Sequence, residues 1–331
     1  MMVTENKKTE ALATSLPIID ITGYSTATPE LEKELCSKIR EACSDKGFFY
    51  IVGHGIDQSL ISELLAQMQL FFGLPKNQKR AIDKSLSPND RGYEAIKNQT
   101  LEEGTPPDLK EGFYLGAEYA DDHPMVQAGR FGYGKNQWPS NSECFQKASN
   151  QYINEMTELA TSLMSLLALS LNLPKNYFAA FNHEPAVTLR MLHYPPQPEN
   201  PLPNEKGCGA HTDFGGLTLL LQDHNGGLQV WDRKQEYWID AKPIKGSFIV
   251  NLGDMISRWT NDKYQSTLHR VINKSGKERY SMPFFFTGNP EHIVSCIPTC
   301  LDPNESPKYP PISVEQHMRN MYKKPMFDNK Y

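Results

Sequence analysis

Gly209-Ala-His211-Thr-Asp213-Phe-Gly-Gly216, running on into Leu217-Thr-Leu-Leu-Leu-Gln222, is the stretch that decides how this chain reads. Successive side chains of an extended segment point to opposite faces, so His211 and Asp213 project to one side and Thr212 to the other. A third ligand must come from elsewhere, because three on one strand would lie in a row. His269, in the strand-like run Leu268 to Ile272, fits. Two neutral imidazoles and a carboxylate can bind one face of a ferrous ion and leave the opposite face open. The same alternation gives Arg279 and Ser281 a shared face, where a planar guanidinium fork and a hydroxyl can converge on one carboxylate.

Working outward, the chain separates into a helical first part and a strand-rich second part. Leu31, Leu35, Ile39 and Cys43 form one stripe of a helix over Pro29 to Ser44, and Phe48 to Val52 reads as a buried strand. Asp57 is suited to cap a helix reaching Phe72, which Gly73 and Pro75 end. Ser85 to Tyr133 is polar and turn-rich, and Glu143 to Leu171 is a long helix with Leu159, Leu163, Leu167 and Leu171 on one stripe. From Val187 onward, short β-branched and aromatic runs alternate with turns: Val187 to Tyr194, Leu217 to Gln222, Leu228 to Trp231, Tyr237 to Asp240, Phe248 to Asn251, Leu268 to Asn273 and Tyr280 to Phe286. Closely spaced strands with few helices between them predict an α+β chain with a mainly β core, a double-sheet jelly roll flanked by helices. Residues 1–140 are expected to be a helical, mixed region of the same catalytic unit as the jelly-roll domain at 141–331. Pro195 to Pro203 reads as a loop inside that domain, and no internal repeat is visible.

Several ordered motifs carry a resemblance. The segment Gly209 to Gln222, Gly226-Gly-Leu-Gln-Val-Trp231, Asn251-Leu-Gly-Asp254, Arg258-Trp-Thr-Asn-Asp262, Ser266-Thr-Leu-His269-Arg-Val271 and Arg279-Tyr-Ser281-Met-Pro-Phe-Phe-Phe286 resemble the iron(II)/2-oxoglutarate-dependent dioxygenases of the isopenicillin N synthase-like group. Pro17-Ile-Ile-Asp20 and Gly47-Phe-Phe-Tyr-Ile-Val-Gly-His54-Gly55 resemble the N-terminal part of the same family, so the likeness spans nearly the whole chain. A lone His-x-Asp is common; this ordered series is not.

The resemblance implies a double-stranded β-helix core, iron(II) on His211, Asp213 and His269, and O2 and 2-oxoglutarate as cosubstrates, with ascorbate as a stimulant. It implies that 2-oxoglutarate chelates the iron through its 1-carboxylate and 2-keto oxygen while its far carboxylate meets Arg279, Ser281 and Tyr194. Succinate and carbon dioxide leave, and a small-molecule metabolite is oxidised, by default hydroxylated. The chain departs from the plant-type pattern before Tyr194-Pro195-Pro196, where Leu192 and His193 stand in place of Asn-Tyr. Isopenicillin N synthase itself keeps the Arg-x-Ser pair without 2-oxoglutarate; its terminal glutamine has no match in Met326 to Tyr331, which favours the 2-oxoglutarate reading. A zinc hydrolase remains an alternative on the same triad. A non-catalytic relative is disfavoured by the three intact ligands.

Other residues are weighed against ordinary roles. Substrate residues are sought at Arg91 and Tyr93, at Lys110, Phe113 and Tyr114, and at Trp259 and Phe286, with Arg91 or Lys110 as an anion anchor; solvated charge and core packing are the competing readings. Asp223 and His224, beside Asn225-Gly226-Gly227, read as a solvent-facing turn. Asp254 is expected to order a turn, and His54, between glycines, to support structure. Cys36, Cys43, Cys144, Cys208, Cys296 and Cys300 lack a disulfide or zinc pattern and read as reduced thiols, Cys208 being notable for its closeness to His211.

At 331 residues and 39% hydrophobic content the chain can bury a sizeable core. A formal charge of -5 gives no footprint for nucleic acid or anionic membrane, and no apolar run approaches the ~20 residues a bilayer needs. Met1 to Ser15 is polar and lacks the apolar core of a secretory signal. The expectation is a cytoplasmic enzyme with a small-molecule substrate and no nucleic acid, membrane or obligate protein partner.

Overall fold

A computed structural model of the chain describes residues 16–323. The N-terminal stretch Met1 to Ser15 and the ending Met326 to Tyr331, on which two expectations rested, lie outside the described residues. Leu35, Ile39 and Cys43 are buried on helix α1 (Pro29–Asp45), which starts where Pro29 presets the first turn and the Thr28 hydroxyl accepts from the Leu31 amide. Asp57 caps α2 (Gln58–Phe72) by accepting from the Ser59 amide at 2.8 Å. Both helices pack on α3 (Glu143–Ser170), whose buried stripe includes Tyr152, Met156, Leu159, Leu163 and Leu167. None of the described helices is long and apolar enough to cross a membrane.

The strands of the two main sheets are β1 (Ile18–Asp20), β2 (Phe48–Val52), β3 (Gly92–Glu94), β4 (Glu111–Leu115), β5 (Ala186–Tyr194), β6 (Cys208–His211), β7 (Leu217–Gln222), β8 (Leu228–Asp232), β9 (Tyr237–Asp240), β10 (Phe248–Leu252), β11 (His269–Val271) and β12 (Arg279–Gly288). Eight of them form one sheet in the order β1-β2-β10-β7-β12-β5-β4-β3, and the other four form a second sheet in the order β6-β11-β8-β9. The N-terminal region therefore supplies strands to both edges of the large sheet. The turn-rich reading of Ser85 to Tyr133 is corrected by β3 and β4. Their acids hid them: Glu94 and Glu111 are buried because Lys84 and Lys79 pair with them at 2.6 and 2.8 Å.

Strict alternation gives the large sheet two different faces. On β12, Met282, Phe284 and Phe286 join the core beneath α3, whereas Arg279, Ser281, Pro283 and Phe285 line a cavity between the sheets. On β5, Leu189 and Met191 face the helices, while Arg190, Leu192 and Tyr194 face the cavity. The β12–β5 ladder runs from Arg279↔Tyr194 to Gly288↔Ala186 and is broken between Ser281↔Leu192 and Phe284↔Leu189, at Met282 and at Pro283, which has no N–H to give. A smaller core of Phe48, Tyr50, Leu228, Val230, Ile249 and Val271 fills the far side of the space between the sheets.

Candidate active site

Strand β6 ends at His211, so Asp213 lies just beyond it and not on the strand as expected. The alternation nevertheless persists: Thr212 turns away and donates to Asp254 at 3.2 Å, while His211 and Asp213 face the cavity. His269, on β11, is the direct cross-strand partner of His211. Their imidazole Nε2 atoms stand 3.8 Å (His211) and 3.7 Å (His269) from Asp213 Oδ1. Among the described residues this trio is the one group of histidine, cysteine or acid ligand atoms gathered closely enough to share a metal ion, within 4.8 Å of one another.

The atoms pointing away from that centre are all engaged. Nδ1 of His211 lies 2.8 Å from the Gly209 carbonyl, and Nδ1 of His269 lies 3.1 Å from the Thr267 carbonyl. Each Nδ1 therefore carries the proton and leaves the Nε2 lone pair inward. Asp213 Oδ2 accepts from Thr218 Oγ1 at 2.6 Å and Asn251 Nδ2 at 2.7 Å, which leaves Oδ1 free to ligate. Burial keeps both imidazoles neutral: it lowers His211 and, together with the neighbouring His211 ring, brings His269 to about 4. Two neutral nitrogens and one carboxylate oxygen, each held by an outward hydrogen bond, fit a divalent metal.

Asn251-Leu-Gly-Asp254 builds this arrangement. Asn251 holds Asp213, and the first turn of α4 (Asp254–Trp259) presses on the same loop, Asp254 N donating to the Asp213 carbonyl at 2.8 Å. A Cβ on Gly253 would meet the Gly215 oxygen at 2.2 Å, so that approach needs glycine. Asp254 also accepts from Ser266 at 2.6 Å, tying the loop to the segment that leads into His269.

At the opposite end of the cavity, Arg279 is fully buried. Its Nε donates to the Gly226 carbonyl at 2.5 Å and Nη1 to Ser281 Oγ at 3.1 Å. The ring centroid of Tyr194 lies 4.7 Å from the guanidinium carbon. The Asn225-Gly226-Gly227 turn delivers that carbonyl; Gly227 has φ +97 and no room for a Cβ, which would sit 2.7 Å from the Ile272 oxygen. Between the two ends lies a cavity of about 60 Å³ walled by Phe48, Leu192, Leu220, Leu228 and Val271. Beyond the triad a second lobe opens, lined by Phe131, Thr188, Phe214, Met318 and Tyr322.

The predicted substrate residues divide. Lys110 lines the cavity, paired with Asp108 and 3.6 Å from the Cys208 sulfur, and Tyr114 lines a side chamber next to it, bonded to Glu94. Arg91 reaches that chamber, yet its guanidinium is bonded to the carbonyls of Ala117, Gly132 and Gly134. Tyr93, Phe113, Trp259 and Phe286 belong to the helix-side core, Phe113 against Phe71 at 4.4 Å and Trp259 against Phe178 and Phe181 at 4.9 Å each. For Phe286 the parity that pairs Arg279 with Ser281 already points it to the other face. His54 accepts from the Ile56 amide at 3.1 Å, a local turn role, and His224 is exposed while Asp223 binds the Tyr280 and Asn225 amides. All six cysteines are free thiols. Sequence reasoning missed Thr218 and Arg190, both legible from alternation along β7 and β5, and helix α5 (Val314–Lys323), whose Met318 and Tyr322 reach the second lobe.

Comparison with known proteins agrees with this geometry. Residues 16–141 match the family described as non-haem dioxygenase in morphine synthesis N-terminal, and residues 184–288 match the 2OG-Fe(II) oxygenase superfamily. The 2-oxoglutarate-Fe(II) type oxidoreductase hxnY of Emericella nidulans is 45% identical, covering 94% of this chain and 90% of its own length. A 2-oxoglutarate-Fe(II) type oxidoreductase of Aspergillus fumigatus is 39% identical over 91% of this chain and 90% of its own. The crystal structure of a full-length Neurospora crassa protein in complex with alpha-KG superposes with a TM-score of 0.82 at 27% identity, covering 96% of this chain and 97% of that one. With its jelly-roll core and these relatives, the chain belongs to the 2OG-Fe(II) oxygenase superfamily and is a 2-oxoglutarate-dependent dioxygenase that uses iron(II) and O2 on a small molecule.

Proposed function

We propose that His211, Asp213 and His269 hold the iron, that Arg279, Ser281 and Tyr194 hold the far carboxylate of 2-oxoglutarate, and that the substrate enters from the second lobe. The observation that carries this reading is the single cavity with a His-Asp-His cluster at one end and a buried guanidinium paired with a hydroxyl at the other. When bound, the ferrous ion supplies the redox chemistry by which O2 and 2-oxoglutarate become succinate and carbon dioxide while a substrate C–H becomes C–OH.

The chain's own residues position and exclude. Asn251 and Thr218 keep Asp213 ionised and aimed, and the carbonyls of Gly209 and Thr267 fix the imidazole tautomers. Arg279 offers a fork that a lysine cannot copy, and the aliphatic wall of Leu192, Leu220, Leu228 and Val271 keeps bulk water from the cosubstrate. Leu192 occupies the place of the plant-type asparagine, so this wall is apolar where those relatives have an amide. The structures of the Neurospora crassa protein include complexes with thymine and 5-formyluracil, which supports a compact, ring-sized substrate here. Succinate formation by the iron(II)-loaded protein, screened against a metabolite panel, tests the proposal: the true substrate should raise it several-fold. Oxidation of a substrate without 2-oxoglutarate consumption would replace this reading with an oxidase.

A further inference from the structure

The cationic side chains around the cavity differ in what they are already bonded to. Lys84 pairs with Glu94 at 2.6 Å and Lys110 pairs with Asp108, so each carries its own counter-charge. Arg91 is saturated by backbone carbonyls. Arg279 is the proposed partner of the cosubstrate. Arg190 remains. Its Nη2 donates to the Tyr322 hydroxyl at 3.1 Å, its Nε is buried with no hydrogen-bond partner, and among the described residues no acid lies within ion-pairing distance.

Arg190 is also fixed in place. Its guanidinium carbon lies 4.9 Å from the ring centroid of Tyr114 and 4.7 Å from that of Phe285. The two rings come from β4 and β12, the strands on either side of β5, and the N–H groups are what the side chain offers a ligand. It lines both lobes of the cavity together with His211 and Asp213. The Phe131, Phe214 and Met318 side chains supply an apolar surface around the rest of a bound molecule.

Charge decides what the edge takes. A ferrous ion and Arg279 together balance Asp213 and the two carboxylates of 2-oxoglutarate, so the assembled site is neutral except for Arg190. Glu94 and Asp213 act on Arg190 only from beyond ion-pairing distance, so a buried guanidinium without an ion pair of its own favours one anionic group, and its planar donor edge matches a carboxylate. We propose that Arg190 is the substrate anchor and that the substrate is a small, largely apolar monocarboxylate whose acid group meets the Arg190 edge while a neighbouring C–H is offered to the metal. This rests on the oxygenase reading above and adds the substrate class to it.

The test is a binding measurement without turnover. Anaerobic protein loaded with iron(II) and saturating 2-oxoglutarate is titrated calorimetrically with benzoate, phenylacetate and cinnamate, each beside its primary amide. A charge-assisted pair predicts that at least one acid binds wild type roughly ten- to a hundredfold tighter than its amide. In Arg190→Gln that preference should fall below about threefold, and in Arg190→Lys, which keeps the charge and the stem if glutamine fails to fold, it should drop at least about fivefold. Thermal melting checks the fold of each variant. Wild type that treats every acid and amide alike overturns the proposal, as does a preference that survives intact in a folded Arg190 variant. Failure of the oxygenase reading looks different: no succinate is formed by wild type, whatever the acid preference.

Discussion

His211 and His269 face one another as direct partners on the antiparallel strands β6 and β11, with ring centroids 4.3 Å apart. The backbone ladder therefore sets the spacing of the two nitrogen ligands. Asp213 has no such ladder, because β6 has ended, and its position comes from the side chains of Asn251 and Thr218.

That difference predicts where the site is vulnerable. Asn251→Leu and Thr218→Val, each of which removes a hydrogen bond to Asp213 Oδ2 and leaves all three proposed ligands in place, should each weaken iron(II) binding by roughly ten- to a hundredfold, the usual cost of losing a partner that orients a ligand. Anaerobic metal titration measures this. Wild-type affinity in both variants would mean that Asp213 does not need them.

At the other end, Ser281→Ala should weaken 2-oxoglutarate binding by roughly ten- to a hundredfold and Arg279→Ala by more, since a charge-assisted hydrogen bond is worth ~1.5–3 kcal/mol. Arg279→Lys should recover little of the loss, because Nε and Nη1 now bind Gly226 and Ser281 at once. Calorimetry with 2-oxoglutarate decides it; equal affinity in Arg279→Lys would contradict a fork-specific contact.

Phe286, buried beneath α3 with its ring 5.9 Å from that of Phe181, should act through stability. Phe286→Ala is expected to cost about 3–5 kcal/mol in urea unfolding while leaving 2-oxoglutarate affinity of the folded protein near wild type. A changed affinity without lost stability would return it to the pocket.

Glu111 gives a pH dependence. Burial favours its neutral form, but hydrogen bonds from His193, Lys79 and Tyr93 outweigh burial and hold the carboxyl below its ordinary 4.5. A carboxyl depressed in the folded state contributes stability that is complete above that ordinary value and is lost as pH falls below it. The Tm should therefore drop as the pH is taken below that ordinary 4.5, and Glu111→Gln should flatten that slope. An unchanged slope in the variant would remove Glu111 from the account.

Much of this was legible in the sequence because period-two alternation translates directly into faces. It paired His211 with Asp213 and Arg279 with Ser281, while apolar, β-branched and aromatic runs set off by turn residues bounded β2, β7 and β9 to the residue. The same rule, carried along β12 and β5, would have sent Phe286 to the core and turned Arg190 to the cavity. What stayed hidden depended on contacts distant in sequence. Glu94 and Glu111 look like loop acids until Lys84 and Lys79 are seen beside them, and Arg91 looks like an anchor until the carbonyls of Gly132 and Gly134 enclose it. Asp213 escaped the strand reading because its geometry is held by Asn251, far along the chain.

The central claim is that one cluster, His211, Asp213 and His269, holds the iron on which 2-oxoglutarate turnover depends. Iron content after anaerobic loading, measured alongside succinate release in wild type and Asp213→Ala, tests it most directly. The account predicts one iron per wild-type chain with succinate formation, and loss of both in a variant whose Tm stays close to wild type, since the open site is not a structural staple. Iron retained at one per chain with undiminished succinate release in Asp213→Ala would contradict it.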